Sequence, residues 1–134
     1  MIEWQDAYST GIVKLDKQHQ NLFRFSNDLE ERINCGVVSK QTVDGALQFL
    51  GNYIKGHFGQ EETCMHRYVC PVAEKNTIAH QEFIKEFGIF QNTISKDGDN
   101  ERPLRELHLF LQGWLVDHIC KIDLQLKPCV EKSR

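Results

Sequence analysis

The sequence lacks the features that mark membrane, secreted and nucleic-acid-binding proteins. No apolar run approaches the roughly 18 residues that a membrane-spanning helix needs. The N-terminal stretch MIEWQDAYST has neither the basic start nor the apolar core of a signal peptide. No basic patch or run of like charge is present, and the formal net charge is −3. We therefore expect a protein with no membrane span and no nucleic-acid partner.

Cysteine is present, but its spacing is not that of a zinc ribbon or a disulfide framework. The chain has 5 cysteines, an odd number. They are Cys35, Cys64, Cys70, Cys120 and Cys129. The separation of Cys64 and Cys70 is wider than the two to four residues typical of a zinc knuckle. We interpret all of them as reduced thiols of a cytoplasmic protein, mostly small buried hydrophobic residues.

The sequence is also poor in proline, and β-branched residues do not alternate with polar ones as they would in a strand. Apolar residues instead recur at spacings of three and four, which predicts four helices of roughly 20 residues. Cys35-Gly36 predicts the end of the first helix, and Ser39 the N-cap of the second. Pro71 should end the second helix, and Pro103 should occupy the first position of the fourth. The apolar row of that fourth helix extends to Leu126.

Short connections between these helices make neighbours antiparallel. The prediction is therefore an all-α, up-down-up-down four-helix bundle with an N-terminal arm over residues 1 to about 10. A chain of 134 residues has room for one core, so we expect a single domain over residues 1–134. We also expect a monomer.

Several polar residues interrupt the apolar rows of the predicted helices. They are His19, Ser26, His57, Glu61, Asn76, His80 and His118. A buried charge such as Glu61 costs several kcal/mol unless it is paired or bound to a metal. In an alternating bundle all of the histidines in these rows come to the same end, beside Glu61 and Asn76. His66 and His108 fall off the rows or at the other end, and we interpret them as surface residues.

This convergence is typical of a metal site. Four histidines with Glu61 and Asp123 exceed the four ligands that one zinc ion usually takes, but they suit two metals bridged by the two carboxylates. Mixed imidazole and carboxylate ligation favours iron or manganese. Asp123 lies about 140° past His118 around an ideal helix. It can therefore reach the metal site only from the side, or if the helix is locally loosened, for example by a π-type turn. A hydrogen-bonded polar core and a single-metal site are the alternatives.

The motifs that carry these residues resemble those of bacterial hemerythrin. They are DKQHQNLF (16–23), HFGQEETCM (57–65), HQEF (80–83) and WLVDHICKID (114–123). Trp4 and the segment STGIVKLD also fit the N-terminal arm of that family. The resemblance covers nearly the whole chain, with the motifs in the family's order.

The resemblance implies a non-haem di-iron centre that binds O₂ reversibly, with an oxo or hydroxo bridge between the two Fe ions. His19 and His57 match the histidines of the iron that keeps a position open for O₂. Glu61 and Asp123 match the bridging carboxylates. His80 and His118 match two of the three histidines on the other iron. The apolar lining of the O₂ pocket matches Leu22, Phe58, Phe83, Trp114, Leu115 and Ile119.

Asn76 stands where the resemblance predicts a third histidine on the second iron. The spacing of Pro71 and Phe83 around it follows the family pattern, so no insertion hides the missing ligand. An amide oxygen is a weak ligand for iron and is more common as a ligand of hard cations. We expect an altered second site whose position is open, or filled by water or an anion that contacts Asn76 weakly or through water.

Two functions are compatible with these features. The first is an oxygen-binding protein for storage, delivery or sensing, whose partner is O₂ or another small diatomic molecule or anion. The alternative is a di-iron oxidase, peroxidase or NO-scavenging protein that uses the coordination position freed at Asn76. Beyond these two functions, a structural bundle without metal is a third interpretation. We favour oxygen binding over an enzyme because the apolar lining excludes water and protons. The sequence does not identify a protein partner.

Overall fold

The computed structural model describes residues 2–96, 101–120 and 125–132, which form helices and turns without any strand. The helices are α1 (Val13–Asn34), α2 (Lys40–Tyr53), α3 (Gly59–Arg67), α4 (Ala73–Lys96), α5 (Glu101–Trp114) and α6 (Leu126–Lys132). A first π turn, Ile54–Phe58, joins α2 to α3 without a break, and a second π turn, Leu115–Ile119, continues α5. A short 3₁₀ turn, Asp6–Tyr8, precedes α1.

The long helical segments therefore cover residues 13–34, 40–67, 73–96 and 101–119. Helix α1 packs against α5, and α4 packs against both α3 and α5. Residues early in the first and third segments meet residues late in the second and fourth, so successive segments run antiparallel. The predicted all-α bundle is confirmed. None of its described helices is long and apolar enough to cross a membrane.

Most predicted helix boundaries agree with the structure, and the differences are local. Helix α1 ends at Asn34, and Gly36 follows with φ +78, a conformation that glycine adopts without steric cost. The Ser39 side chain accepts a hydrogen bond from the Thr42 N–H and caps α2 as predicted. The fourth segment begins at Glu101 rather than Pro103, which still lies in the first turn, where the N–H has no helical partner.

The second segment ends before Pro71, which the sequence predicted as its limit. Helix α3 stops at Arg67, and Val69 turns the chain with a left-handed φ of 49°. The row assigned to the fourth helix was also too long. Leu126 lies in the separate helix α6, where its side chain is fully buried.

The described part of the N-terminal arm is tied to α1 by hydrogen bonds. The Ile2 N–H donates to the Asn27 side chain, and the Asn27 amide donates back to the Ile2 carbonyl, at 3.0 and 2.8 Å. The Asp16 carboxylate accepts hydrogen bonds from the Thr10 N–H and the Thr10 hydroxyl at 2.8 and 2.9 Å. These bonds hold the arm across the beginning of α1, and the predicted arm is confirmed.

The interior consists of a main core and a smaller group at one end of the bundle, which we call the end cluster. The end cluster comprises Leu15, Met65, Cys70, Val72, Ala73, Leu126 and Val130. Along α1, Leu15 lies one turn before His19, and Leu22 of the main core lies one turn after it. Along α4, Ala73 lies about two turns before His80, and Phe83 lies one turn after it. His19, His57, Glu61, His80 and His118 thus form a polar layer between two apolar groups. Ser26 is also buried but lies two turns beyond His19.

Two predictions about individual side chains are wrong. His108 is buried rather than on the surface, with 7% of its area exposed, whereas His66 is exposed as predicted. The five cysteines are not all thiols, because Cys70 and Cys129 form a disulfide between the α3–α4 connection and α6. Cys35 is exposed rather than buried. The cytoplasmic location was inferred from five reduced thiols, and the disulfide removes that support. The location stays a prediction.

The disulfide should contribute strongly to stability because it closes a long loop. We expect Cys129→Ser to lower the free energy of unfolding by about 4 kcal/mol, the loop-closure entropy released in the unfolded chain. Urea unfolding of the metal-free oxidised protein measures this loss. Cys35→Ser, which removes an exposed thiol, is the matched control and should change little. Equal midpoints for the two variants would mean that the disulfide does not constrain the unfolded chain.

Candidate metal centre

The polar layer contains two groups of possible metal ligands that share one residue. His19, His57 and Glu61 form the first group, and Glu61, His80 and His118 form the second. Within each group the candidate ligand atoms lie within 4.8 Å of one another. Each of the long helical segments contributes to this layer, which is why residues far apart in the sequence meet here.

The first group is organised around one oxygen of the Glu61 carboxylate. Glu61 Oε2 lies 2.7 Å from His19 Nε2 and 3.0 Å from His57 Nε2. The two Nε2 atoms are themselves 3.0 Å apart. Three atoms that can donate lone pairs therefore surround one small volume.

The second group is organised around the other oxygen of the same carboxylate. Glu61 Oε1 lies 3.1 Å from His80 Nε2 and 3.6 Å from His118 Nε2. The Nε2 atoms of His80 and His118 are 3.1 Å apart. Glu61 thus presents one oxygen to each histidine pair, the arrangement of a carboxylate that bridges two ions.

The layer is closed to solvent and contains a charged carboxylate. Glu61 and His19 have no exposed area, and the other three histidines are exposed by 3% or less. Burial raises the pKa of Glu61, but opposing hydrogen bonds, those of His118 and His19 foremost, outweigh it and hold the pKa well below its usual range. Burial also lowers the pKa of His57, although Glu61 opposes that shift. An ionised carboxylate beside a neutral imidazole is the protonation state that metal binding requires.

A hydrogen bond behind His57 sets which of its ring nitrogens carries the proton. The His57 Nδ1–H donates to Gln18 Oε1, and the Gln18 amide donates in turn to Gln60 Oε1 at 3.0 Å. A neutral His57 then directs the lone pair of Nε2 at Glu61 Oε2, only 3.0 Å away. Two acceptors facing each other at that distance repel unless a cation lies between them. The donor set therefore fits a bound metal ion.

The spacing of the donors fits a metal as well. Imidazole nitrogens bind such ions at about 2.1 Å, so neighbouring ligand atoms at right angles around one ion lie about 3.0 Å apart. The nitrogen–nitrogen distances of 3.0 and 3.1 Å match this value. Imidazole with carboxylate oxygen, and no thiolate in either group, is a donor set suited to iron.

Both π turns lie at the layer, and the sequence anticipated only one of them. The first contains His57 and the second contains His118. A π turn takes an extra residue, which changes the direction of the side chains that follow, and such turns are frequent at functional sites. The sequence analysis required a local π-type turn in the fourth helical segment if Asp123 is to reach the metal site. Such a turn is present at Leu115–Ile119, before Asp123 in the chain. Asp123 itself lies outside the described residues.

Asn76 is buried in the layer without a hydrogen-bond partner. It lies one turn before His80 on the same buried face of α4, and none of its area is exposed. Neither its amide oxygen nor its amide nitrogen has a hydrogen-bond partner in the part of the chain that the structure describes. A buried polar group left in this state costs about 1–3 kcal/mol, so Asn76 needs a partner beyond those that the described residues provide.

The residues predicted to line an O₂ pocket are distributed unevenly around the layer. Phe58 stacks on His80, with ring centroids 3.9 Å apart, and Trp114 stacks on His118 at 4.2 Å. Phe83 packs between them and contacts both rings. Leu22, Leu115 and Ile119 are completely buried. The stacked rings of the predicted pocket therefore lie on the second group. In the first group, His57 donates a hydrogen bond to Gln18 and packs against Tyr53, with ring centroids 4.6 Å apart.

Gln18 was not singled out from the sequence. It precedes His19 directly, so on a helix it points away from that residue's face, and nothing in the pattern shows that it reaches His57. A polar residue beside a predicted ligand is the only signal that could have suggested it. The other functional candidates within the described residues lie in the layer as reported above.

Comparison with known proteins identifies relatives along nearly the entire chain. The profile described as the hemerythrin HHE cation binding domain matches residues 10–130. A bacteriohemerythrin of Clostridium acetobutylicum is 29% identical over 129 residues, covering 92% of this chain and 96% of that protein. A bacteriohemerythrin of Methylococcus capsulatus is 25% identical over 132 residues, with 97% of each chain covered. A myohemerythrin of Theromyzon tessulatum is 24% identical over 125 residues, covering 93% and 90%.

The hydrogen bond from His57 to Gln18 should matter for metal affinity. We expect Gln18→Ala to weaken the binding of one metal ion about 10- to 100-fold, since the ligating ring loses the partner that orients it. Titration of the metal-free protein with Co(II), followed by absorbance, measures both binding steps. Gln20→Ala, on another side of the same helix, is the control. Equal affinities in the two variants would show that Gln18 does not orient the ligand.

Proposed function

The chain belongs to the hemerythrin family of HHE cation-binding domains, and from this premise we propose that it is a non-haem di-iron oxygen-binding protein. Its role would be O₂ storage, delivery or sensing, with a second iron site altered by Asn76. We further propose that residues 1–134 form a single domain of this kind.

The proposed ligands follow the two groups of the layer. His19 and His57 would hold one iron, His80 and His118 would hold the other, and Glu61 would provide an oxygen to each. Asp123, which lies outside the described residues, is proposed as the second bridging carboxylate. Two iron ions with an oxo or hydroxo bridge would supply the reversible binding of O₂.

The observation that carries the proposal is the division of the Glu61 carboxylate. Each of its oxygens faces a separate pair of imidazole nitrogens, at 2.7 and 3.0 Å on one side and 3.1 and 3.6 Å on the other. A polar network built only for stability would need a proton donor for each acceptor. The His57–Gln18 bond removes one such donor from the first group.

The surrounding residues would protect the bound gas. Phe58 and Trp114 cover the imidazoles of the second group, and Phe83 packs against both of those rings. The completely buried Leu22, Leu115 and Ile119 would exclude water from the layer. Without water or a mobile proton, a bound diatomic molecule is released unchanged rather than as a reduced product. This lining supports the carrier over the enzyme.

A second candidate function rests on Asn76. A di-iron oxidase, a peroxidase or an NO-scavenging protein would use the coordination position that an asparagine leaves vacant. The observation that favours it is the buried amide without a hydrogen-bond partner beside His80. Release of a reduced product distinguishes this candidate from the carrier.

The proposal predicts both metal content and gas chemistry. Because each pair of histidines would bind its own ion, the purified protein should contain close to two irons per chain. Elemental analysis measures this content. The reduced protein should develop a visible band in O₂ that disappears on deoxygenation. One iron per chain would contradict the dinuclear site. Irreversible bleaching with release of peroxide would support the oxidase instead.

A further inference from the structure

The second half of the metal centre contains a polar side chain that the proposed ligands leave unused. We propose that this half binds a small anion, held by the metal ion at His80 and His118 and by a hydrogen bond from the Asn76 amide. The inference rests on the proposed di-iron function and adds a ligand that the first half does not share.

Asn76 is suited to donate such a hydrogen bond. Its side chain has no exposed area, and its amide nitrogen has no hydrogen-bond acceptor within the described ranges. Its position one turn before His80, on the buried face of α4, directs the amide into the polar layer. Asparagine is also shorter than histidine, so it leaves room between its amide and the metal position for a ligand of a few atoms.

The charge of the centre favours an anion over a neutral molecule. Two ferric ions carry more positive charge than Glu61, the proposed bridge from Asp123 and the proposed oxo or hydroxo bridge neutralise together. The four histidines add no negative charge, and the layer is closed to water. A buried excess of positive charge is costly, so a further anionic ligand stabilises the oxidised centre.

A groove gives small ligands a route to this half of the site. It lies between α4 and the segment formed by α5 and the second π turn, and its volume is about 440 Å³. Trp114 and His118 line it, so it reaches a ring of the second group directly. Glu82 and Asp117 also line it but are exposed, where water and salt weaken their repulsion of a small anion.

Azide is a suitable probe because it is small, linear, negatively charged and spectroscopically visible on ferric iron. The experiment loads the full chain with iron, oxidises it with ferricyanide and titrates it with sodium azide by absorbance and calorimetry. Iron per chain is measured on each sample. We expect two azide ions per wild-type chain, one at each iron.

Variants at position 76 distinguish the effect of the open coordination position from the effect of the amide hydrogen bond. Asn76→His and Asn76→Asp place a ligand of the protein at the metal, so each should bind a single azide. Asn76→Ala leaves the position open but removes the donor, so its second azide should bind about tenfold more weakly. Asn92→His, an exposed position on the same helix, is the matched control and should bind two.

The outcomes distinguish this inference from the function on which it rests. Fewer than two irons in the wild type overturns the di-iron proposal and the inference with it. Two irons with a single azide overturns the inference alone, since Asn76 or another group then fills the position. An Asn76→Ala variant that binds its second azide as tightly as the wild type overturns the role of the amide. Circular dichroism checks that each variant remains helical.

Discussion

The structure depends on a single ionised carboxylate buried among four imidazoles. Glu61 has no exposed area, and within residues 2–96, 101–120 and 125–132 its carboxylate oxygens face histidine nitrogens. Those nitrogens come from every long helical segment, so the antiparallel arrangement, both π turns and the order of residues along each helix must place them at one level. The apolar groups above and below the layer keep water out, which strengthens every electrostatic interaction within it.

The two halves of the centre are supported by different contacts. His57 is held through hydrogen bonds to Gln18 and Gln60, a chain that leads toward the surface. Tyr53 also packs on His57, and the rings of Phe58 and Trp114 stack on the imidazoles of the second half. In that half Asn76 adds a buried amide that no described residue hydrogen-bonds. The disulfide between Cys70 and Cys129 lies in the end cluster below the layer and ties its chain segments together there.

The sequence was sufficient to predict that His19, Glu61 and His80 lie in the core, because they interrupt rows of apolar residues at helical spacing. Their role as ligands stays a prediction. The disulfide could not be predicted, since pairing Cys70 with Cys129 depends on α6 folding back across a separation of 59 residues. His108 was misassigned because it lies at the edge of the apolar row, four residues after Leu104 and three before Leu111. The first π turn left no signal, because His57 and Glu61 keep ordinary helical spacing around it.

The central claim is that Glu61 holds a different metal ion with each of its oxygens. A crystal structure of the iron-loaded protein, with anomalous data collected at the iron edge, tests this directly. The account predicts two iron peaks, one bound by Glu61 Oε2 with His19 and His57, the other bound by Oε1 with His80 and His118. A single peak chelated by both oxygens of Glu61, or an iron that leaves either histidine pair unbound, would contradict it.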